Sequence, residues 1–376
     1  MTAQQVFRNT LVVIATVVAA YILFLSLHIV VVLLVAIIMA SAIRPAVLWL
    51  DNHGLPRTTA IVFSYVAVLL VIFGLFIIVL PPAFSRLGGY ITNDDRLAQK
   101  LIDTNRWAET SLTTLFSSSV PIHLFNEDNI RTTVSSAIAS VNRQMPALAG
   151  DAGGLIGDLI LVIVIGIYWL TSRDNAIEFT LQLFSTGKRP MVKQIILEIE
   201  HGLGAYVRGM VLVVCFVGFA NFILLLIFRV PNPTTLAFII GITTALPIIG
   251  GFIGAGLAVF LALLETPVAG LLTLASFVLV QQVETHYLTP RTMSNSVQIS
   301  PILVIVGLFI GFAVGGVIGG LIAVPIAGTL MVLARHLIIE PKKDAVTPQR
   351  TQGGILIAGE ETNLESPIPN EPGTAS

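Results

Sequence analysis

From Leu11 to Ile43 the chain runs about 33 residues without one formally charged side chain. Roughly 20 apolar residues already span the hydrocarbon layer of a bilayer, so a run of this length constrains the fold more than any motif does. Further apolar runs cover about Thr58–Leu80, Gly153–Leu170, Val207–Phe228, Thr234–Leu264, Pro267–Pro290 and Pro301–Leu337. Composition argues against one large soluble core. Hydrophobic residues make up 55% of the chain and charged residues 11%, against about 25% charged in soluble domains. The expectation is an all-α integral membrane protein in the lipid bilayer, with about eight transmembrane helices, some of them broken or re-entrant. The first run is too long for one vertical span, and we divide it near Ser26–His28, although no Gly or Pro marks a turn there.

Charge and cysteine usage narrow the function classes. A net charge of −1 provides no basic surface for nucleic acid. Cys215 is the single cysteine, which excludes an internal disulfide. There is no C-x-x-C, H-E-x-x-H or P-loop lysine motif, and the glycines of "GGFIGAG" lack dinucleotide-fingerprint spacing. No Ser/His, Asp/Asp or metal-ligand pair shares a spanning face. We therefore expect no enzyme, no metal and no cofactor.

Four regions follow from the composition: membrane helices 1–3 over residues 1–84, an insert over 85–151, further membrane helices over 152–340, and a polar tail over 341–376. The tail is rich in Pro, Thr and Glu and is expected to be disordered. In the insert, Ile130, Val134, Ile138, Val141, Met145 and Leu148 recur at steps of three and four, the stripe of an amphipathic helix, with Asn126 before Glu127 and Asp128 as its start. This stripe is expected to pack on the membrane part or on a neighbouring subunit. Lys and Arg bias sets orientation. Arg8, Arg44, Arg57, Arg173, Lys193 and Arg335 on one side imply eight crossings with both termini cytoplasmic and the insert outside, an arrangement that leaves Arg291 on the outer side.

Two features point to chemistry. The stretch "QQVETH" closes an apolar run, and at 100° per residue Gln281, Gln282, Glu284, Thr285 and His286 fall on one broad arc. A carboxylate at mid-bilayer costs about 2.5–3.5 kcal/mol on insertion scales, so that face must look into protein or water. The plainer alternative is an interfacial Glu. Secondly, two hydrophobic regions are interrupted by Gly and Pro. One holds Pro247, Gly250, Gly251 and Gly254; the other runs from Pro301 through Gly315 and Gly316 to Pro325, with Pro290 before it. Such interruptions mark the broken helices of secondary transporters, and equally close helix packing through small-xxx-small contacts. Asp158 and Asn221 are lesser pathway candidates, each also readable as interfacial or helix-bridging.

Several stretches together resemble the autoinducer-2 exporter family of bacterial membrane transporters. These are "IRPAVLWLDNHGLPRTTA", "YVRGMVLVVCFVGFANFILLLIFRVPNP", "LPIIGGFIG", and "QQVETHYLTPRTMSNSVQISPILVIVGLFIG" with the later "GGVIGGLIAVP". Their ordered combination covers nearly the whole membrane part. The motif positions carried over are Pro247, Gly250, Glu284, Pro290, Pro301, Gly316 and Pro325. Departures fall at Met210, Gly251, Thr285, His286, Ser294 and Asn295, where the family often has Gln, Pro, Gly-Asn and a Gly with a basic residue. The resemblance implies about eight spans, a homo-oligomer in the bacterial inner membrane, and export or exchange of small solutes. Members have been linked both to a furanosyl borate signal and to sodium/proton exchange.

The leading expectation is a secondary exporter of a small polar organic solute, such as a signalling molecule, working by alternating access with H+ or Na+ as coupling ion. The Gln281–His286 face would line its path and Glu284 would carry the coupling proton. A monovalent cation/proton antiporter is the close alternative, though no acidic pair lies deep in a span. A non-transporting membrane scaffold that uses its insert to bind a partner is the alternative from another class.

Overall fold

The computed structural model describes residues 3–91, 94–116, 124–288, 291 and 301–339, and among these there is no β-strand. Pro290 and the tail from residue 341 lie outside the described residues. Ten helices carry the fold: α1 Ala3–Leu25, α2 Leu27–Asn52, α3 Arg57–Ile91, α4 Asp94–Leu115, α5 Glu127–Gln182, α6 Arg189–Ile227, α7 Pro233–Thr243, α8 Gly250–Glu265, α9 Pro267–Val283 and α10 Pro301–Ala334. Six segments, in α2, α3, α5, α6, α9 and α10 with their flanking turns, are long and apolar enough to cross a bilayer. The chain is a multi-pass, all-α integral membrane protein.

The division at Ser26 is real, but its geometry differs from a hairpin corner. The Ser26 amide donates to the Ile22 carbonyl at 2.9 Å, and the Val30 amide to the Ser26 carbonyl at 3.1 Å. Helical hydrogen bonding thus carries through the break. With neither Gly nor Pro at that point, nothing frees the backbone to reverse, and α1 leaves Leu11, Val12, Val17 and Ile22 exposed.

One end of the molecule gathers basic residues. Arg57 at the start of α3 reaches Asp174 in α5 at 3.3 Å, Arg173 beside it pairs with Glu200 of α6, and Arg335 beyond α10 reaches Glu198 of α6 at 3.2 Å. We call this the basic end. The opposite end carries an arm formed by α4 and the first turns of α5. Asn126 caps α5, its side chain accepting from the Asp128 amide at 2.9 Å. Arg106 pairs with Glu127 at 2.6 Å and Arg131 with Asp95 at 3.7 Å, so the two helices run antiparallel. Ala98, Ile102 and Val134 are buried between them. The insert therefore packs within its own chain, and Thr104 ties it to the Leu263 carbonyl of α8 at 3.4 Å. Residue 151, placed above as a boundary, falls inside the continuous helix α5.

Two helical hairpins depart from the simple span pattern. The run from Thr234 to Leu264, with its Gly and Pro interruptions, is broken between Thr243 and Gly250, where Ile248 takes a φ of 71°. A methyl group on Gly254 would collide with the Thr243 side chain, and one on Gly250 with the Thr243 carbonyl. Hence α8 folds back antiparallel along α7. At 1.5 Å per residue the 11 and 16 residues of these helices reach about 17 and 24 Å, short of the roughly 30 Å hydrocarbon layer. Helix α10 breaks likewise at Gly315 (φ −129°, ψ 20°) and Gly316 (φ 57°, ψ −142°). A methyl on Gly311 or on Gly319 would strike the other's carbonyl, and Gly307 faces Ala323. These pairs are centred on residue 315, so α10 also reverses on itself. Two helical hairpins, α7–α8 and the two halves of α10, thus stand where the sequence offers two long apolar runs.

This reversal changes the path of the chain. Helix α6 runs from the basic end to the arm end, α7 turns inward, and α8 returns to the arm end. Helix α9 therefore runs from the arm end toward the basic end, antiparallel to α6. Arg291, left on the outer side by the eight-crossing map, follows the end of α9 that this path directs toward the basic end.

Candidate functional site

Helix α9 begins at a well-formed cap. The Thr266 hydroxyl accepts from the Ala269 amide at 3.1 Å, and Pro267 at the first helical position gives up only an amide that has no helical partner there. Ala269, Thr273, Ser276, Phe277 and Val280 then form its buried face. Gln281 continues that face, half-buried. Its amide donates to the Glu284 carboxylate and to the Thr285 hydroxyl at 3.3 Å. From Glu284 to Leu288 the helix widens into a π-helical turn, a local adjustment that frequently accompanies functional sites. Gln282 and His286 are exposed and turn elsewhere: the His286 ring bonds the Gln282 carbonyl at 2.9 Å. The structure thus brings together three of the five side chains on the expected arc, Gln281, Glu284 and Thr285.

What faces this cluster is the tip of the α7–α8 hairpin. A methyl on Gly251 would lie 3.2 Å from the Gln281 side-chain oxygen, 3.7 Å from the Phe277 ring and 3.8 Å from the Thr244 hydroxyl. Phe252 packs edge-on against Phe277 with ring centroids 6.0 Å apart. Pro247 stands in the turn itself, and Gly250 and Gly254 let α8 lie against α7. At this tip the Ile249 amide donates to the Pro247 carbonyl at 2.8 Å and the Gly250 amide to the Leu246 carbonyl at 3.0 Å, so a tight turn joins α7 to α8.

Depth can be read from the rise of the helices. Ser41 of α2 abuts Gly204 of α6, and Val31 of α2 lies 3.8 Å from the position of a methyl on Gly315. Ten residues of α2 place the α10 tip about 15 Å toward the arm end from Gly204. On the other side, Ser276 donates to Asn221 at 2.8 Å, and Asn221 stands about 25 Å above Gly204. Eight residues back toward the basic end put Glu284 about 13 Å above Gly204. The α10 tip, the α7–α8 tip at Gly251 and Glu284 therefore lie within about 5 Å of one level along the helix axes. Both hairpins also share one face of α6. Ile199, Leu203 and Tyr206 meet α10, whereas Val213, Val217 and Leu225 join the core of α7, α8 and α9. These positions recur at helical steps of three, four, seven and eight.

The remaining candidates have other partners. Asn221 is fully buried, accepting from Ser276 and donating to the Val217 carbonyl at 2.9 Å. It bridges α6 to α9 just above the cluster. Asp158 binds His28 at 3.0 Å, linking α5 to α2 away from the cluster. Pro301 opens α10, and Pro325 lies inside its returning half.

Two ionic groups were not singled out from the sequence. Glu200, 8% exposed, takes the Arg173 guanidinium in a two-point contact whose Nε–Oε1 distance is 2.6 Å, with Arg44 at 3.6 Å. Glu198 accepts from His336 at 2.8 Å and from Arg335 at 3.2 Å. Both acids stand in "LEIEHGLGAYVRG", where two carboxylates entering an apolar helix were the available signal. Arg44 and Arg173 had been read only as markers of orientation.

Comparison with known proteins supplies the context for this geometry. The family model described as AI-2E family transporter matches residues 11–339. The chain is similar to the protein named "Putative transport protein YueF" of Bacillus subtilis (strain 168), 26% identical over 316 residues that cover 81% of this chain and 83% of the relative. It is also similar to YrrI of the same organism, named in the same way, at 24% over 81% of this chain and 86% of that one. A third relative, MT0215 of Mycobacterium tuberculosis (strain CDC 1551 / Oshkosh), is 26% identical over 74% of this chain and 75% of its own length.

Proposed function

We propose that this chain, which belongs to the AI-2E family of membrane transporters, is a secondary transporter that moves a small polar solute outward by alternating access. The observation that carries the reading is the common level of the two hairpin tips and the Gln281–Glu284–Thr285 cluster. In secondary transporters, broken helices can offer backbone donors and acceptors inside the bilayer, where a continuous helix cannot. Gln281 and Thr285 supply neutral hydrogen-bonding groups beside them, which suits a hydroxylated or carbonyl-bearing solute. Glu284 supplies the negative charge that a coupling H+ or Na+ would neutralise. The basic end is assigned to the cytoplasm by the positive-inside rule, and the arm then stands on the outer side of a bacterial inner membrane. In the scaffold reading the cluster would have no need to lie at this depth.

The test is flux through purified protein in liposomes, using a panel of small polar solutes with and without a pH or sodium gradient. Gradient-driven uptake that Glu284→Gln abolishes supports coupled transport through the cluster. Uptake equal in both proteins removes Glu284 from the path. Cation exchange without solute flux would favour the antiporter, and no flux of any kind the scaffold.

A further inference from the structure

Arg208 is the second residue of the apolar run Val207–Phe228, and it is exposed. An arginine at the edge of a membrane span calls for a partner, yet among the described residues no carboxylate pairs with it. Its Nη1 donates to the Ser41 carbonyl of α2 at 3.3 Å and to the Ala42 carbonyl at 3.5 Å. Pro45 has no amide proton, which leaves the Ser41 carbonyl without its helical donor. A methyl on Gly204 would strike both that carbonyl and Nη1. The fold thus seats this guanidinium but occupies only one of its three nitrogens; Nε and Nη2 have no acceptor among the described residues. The contact draws the side chain back along α6 by about one turn, roughly 6 Å toward the basic end. Exposed Trp49 of α2 marks the headgroup level on that side.

The neighbouring charges do not balance. Arg44, one turn along α2 from Ser41, reaches Glu200 at 3.6 Å with its side chain still 36% exposed. Arg173 and Arg57 complete a connected set with Glu200 and Asp174. Four guanidiniums, Arg208 included, therefore share two carboxylates. Asp51, the acid of α2, follows Trp49 by two residues and so falls on the other side of that helix. Toward the arm end the Arg208 face of α6 is open and apolar: Val211, Cys215 and Phe219 follow at steps of three, four and four, and all are exposed. We propose that this face binds an anionic phospholipid of the basic-end leaflet, its phosphate held by Arg208 and Arg44 and an acyl chain laid on Val211, Cys215 and Phe219. The open fork of Arg208 takes the phosphate in the two-point geometry that guanidinium and phosphate favour. The excess positive charge selects an anionic headgroup over a zwitterionic one, and the apolar strip selects a lipid over a free phosphate. The site lies on the side of α6 turned away from Tyr206, Val213 and Val217, so it stands apart from both hairpins and does not depend on the transport reading.

Cys215 is the single cysteine of the chain, so it carries a reporter to the strip without any substitution. The full chain, labelled there with bimane, is placed in bilayers containing brominated phosphatidylglycerol or brominated phosphatidylcholine, whose mid-chain bromines quench the dye on contact. The expected result is quenching at about a fivefold lower mole fraction of the anionic lipid, the factor contributed by one basic side chain near the surface. Arg208→Gln should bring the two lipids to parity, Arg208→Lys should keep part of the preference, and Arg106→Gln in the arm should change nothing. Quenching by phosphatidylcholine that is equal in every variant shows that the fold is kept. Equal quenching by both lipids in the unsubstituted protein would overturn the proposal, as would a preference that survives Arg208→Gln. Quenching by neither lipid would mean that protein covers the strip, which also overturns it. A preference abolished by glycerol phosphate in the buffer would show that the site takes a free phosphate ester, and the assignment to a lipid would fall.

Discussion

Replacing Glu200 by Gln should destabilise the basic end far more than any surface charge change. The Arg173 and Glu200 side chains are 6% and 8% exposed. They meet through two N–H···O contacts, so neither charge has water to fall back on. Removing one partner of such a pair leaves an uncompensated buried charge and costs about 3–5 kcal/mol. Two features reduce that figure here. Gln keeps the volume of Glu, so no cavity forms, and Asp174 still accepts from Arg173 at 2.7 Å. A loss of about 2–3 kcal/mol is expected for Glu200→Gln on that basis. Arg173→Gln should cost a similar amount, and the double variant should show a coupling on the order of 2 kcal/mol. The assay is reversible unfolding in mixed micelles titrated with SDS. Glu127→Gln serves as control, since its pair with Arg106 is 45% and 58% exposed and is worth about 0–1 kcal/mol. Equal midpoints for Glu200→Gln and Glu127→Gln would refute the claim that burial makes this pair different.

Further outcomes follow from the hairpins and caps. Gly316→Ala should cost about 1–3 kcal/mol through backbone strain, because its φ of 57° is unfavourable although no atom lies within 4 Å of an added methyl. Gly311→Ala should cost a similar amount, about 1–3 kcal/mol, for the opposite reason, overpacking against the Gly319 carbonyl at an ordinary helical φ; thermal unfolding of both variants checks the pair. Ser276→Ala, which takes one hydrogen bond from buried Asn221, should lose only about 0.6–1.7 kcal/mol in the same SDS titration. Asn126→Ala should weaken the start of α5 by about 1 kcal/mol, seen as faster amide exchange confined to the arm.

The helical, membrane-spanning character of the chain was legible because charge-free runs near or above 20 residues leave no other fold. The start of α5 at Asn126 was legible too, since a capping side chain followed by two acids is a local signal. The path of the chain was not. A run such as Thr234–Leu264 has the length of a tilted span, and only the contact of Gly254 with Thr243 shows that it turns back. The same holds at Ser26, where hydropathy gives the length of a run but not whether its helix bends or reverses. Within the site, helical periodicity at 100° per residue grouped five polar side chains. The π-helical turn after Val283 and the His286 bond to its own backbone separate Gln282 and His286 from the rest. Arg173 and Glu200 are 27 residues apart and joined only by packing of α5 on α6, so no local pattern could pair them.

The central claim is that the Gln281 face of α9 lines a water-accessible path at mid-bilayer. It is tested most directly by a single cysteine at that position, Gln281→Cys in a Cys215→Ala background, treated with a polar, membrane-impermeant thiol reagent from each side of sealed vesicles. Leu279→Cys, on the opposite side of the same helix and 52% exposed, reports the lipid-facing surface. The account predicts that the thiol at 281 reacts from the aqueous phase while the thiol at 279 stays silent. A cysteine at 281 as unreactive as the one at 279, from both sides, would contradict it.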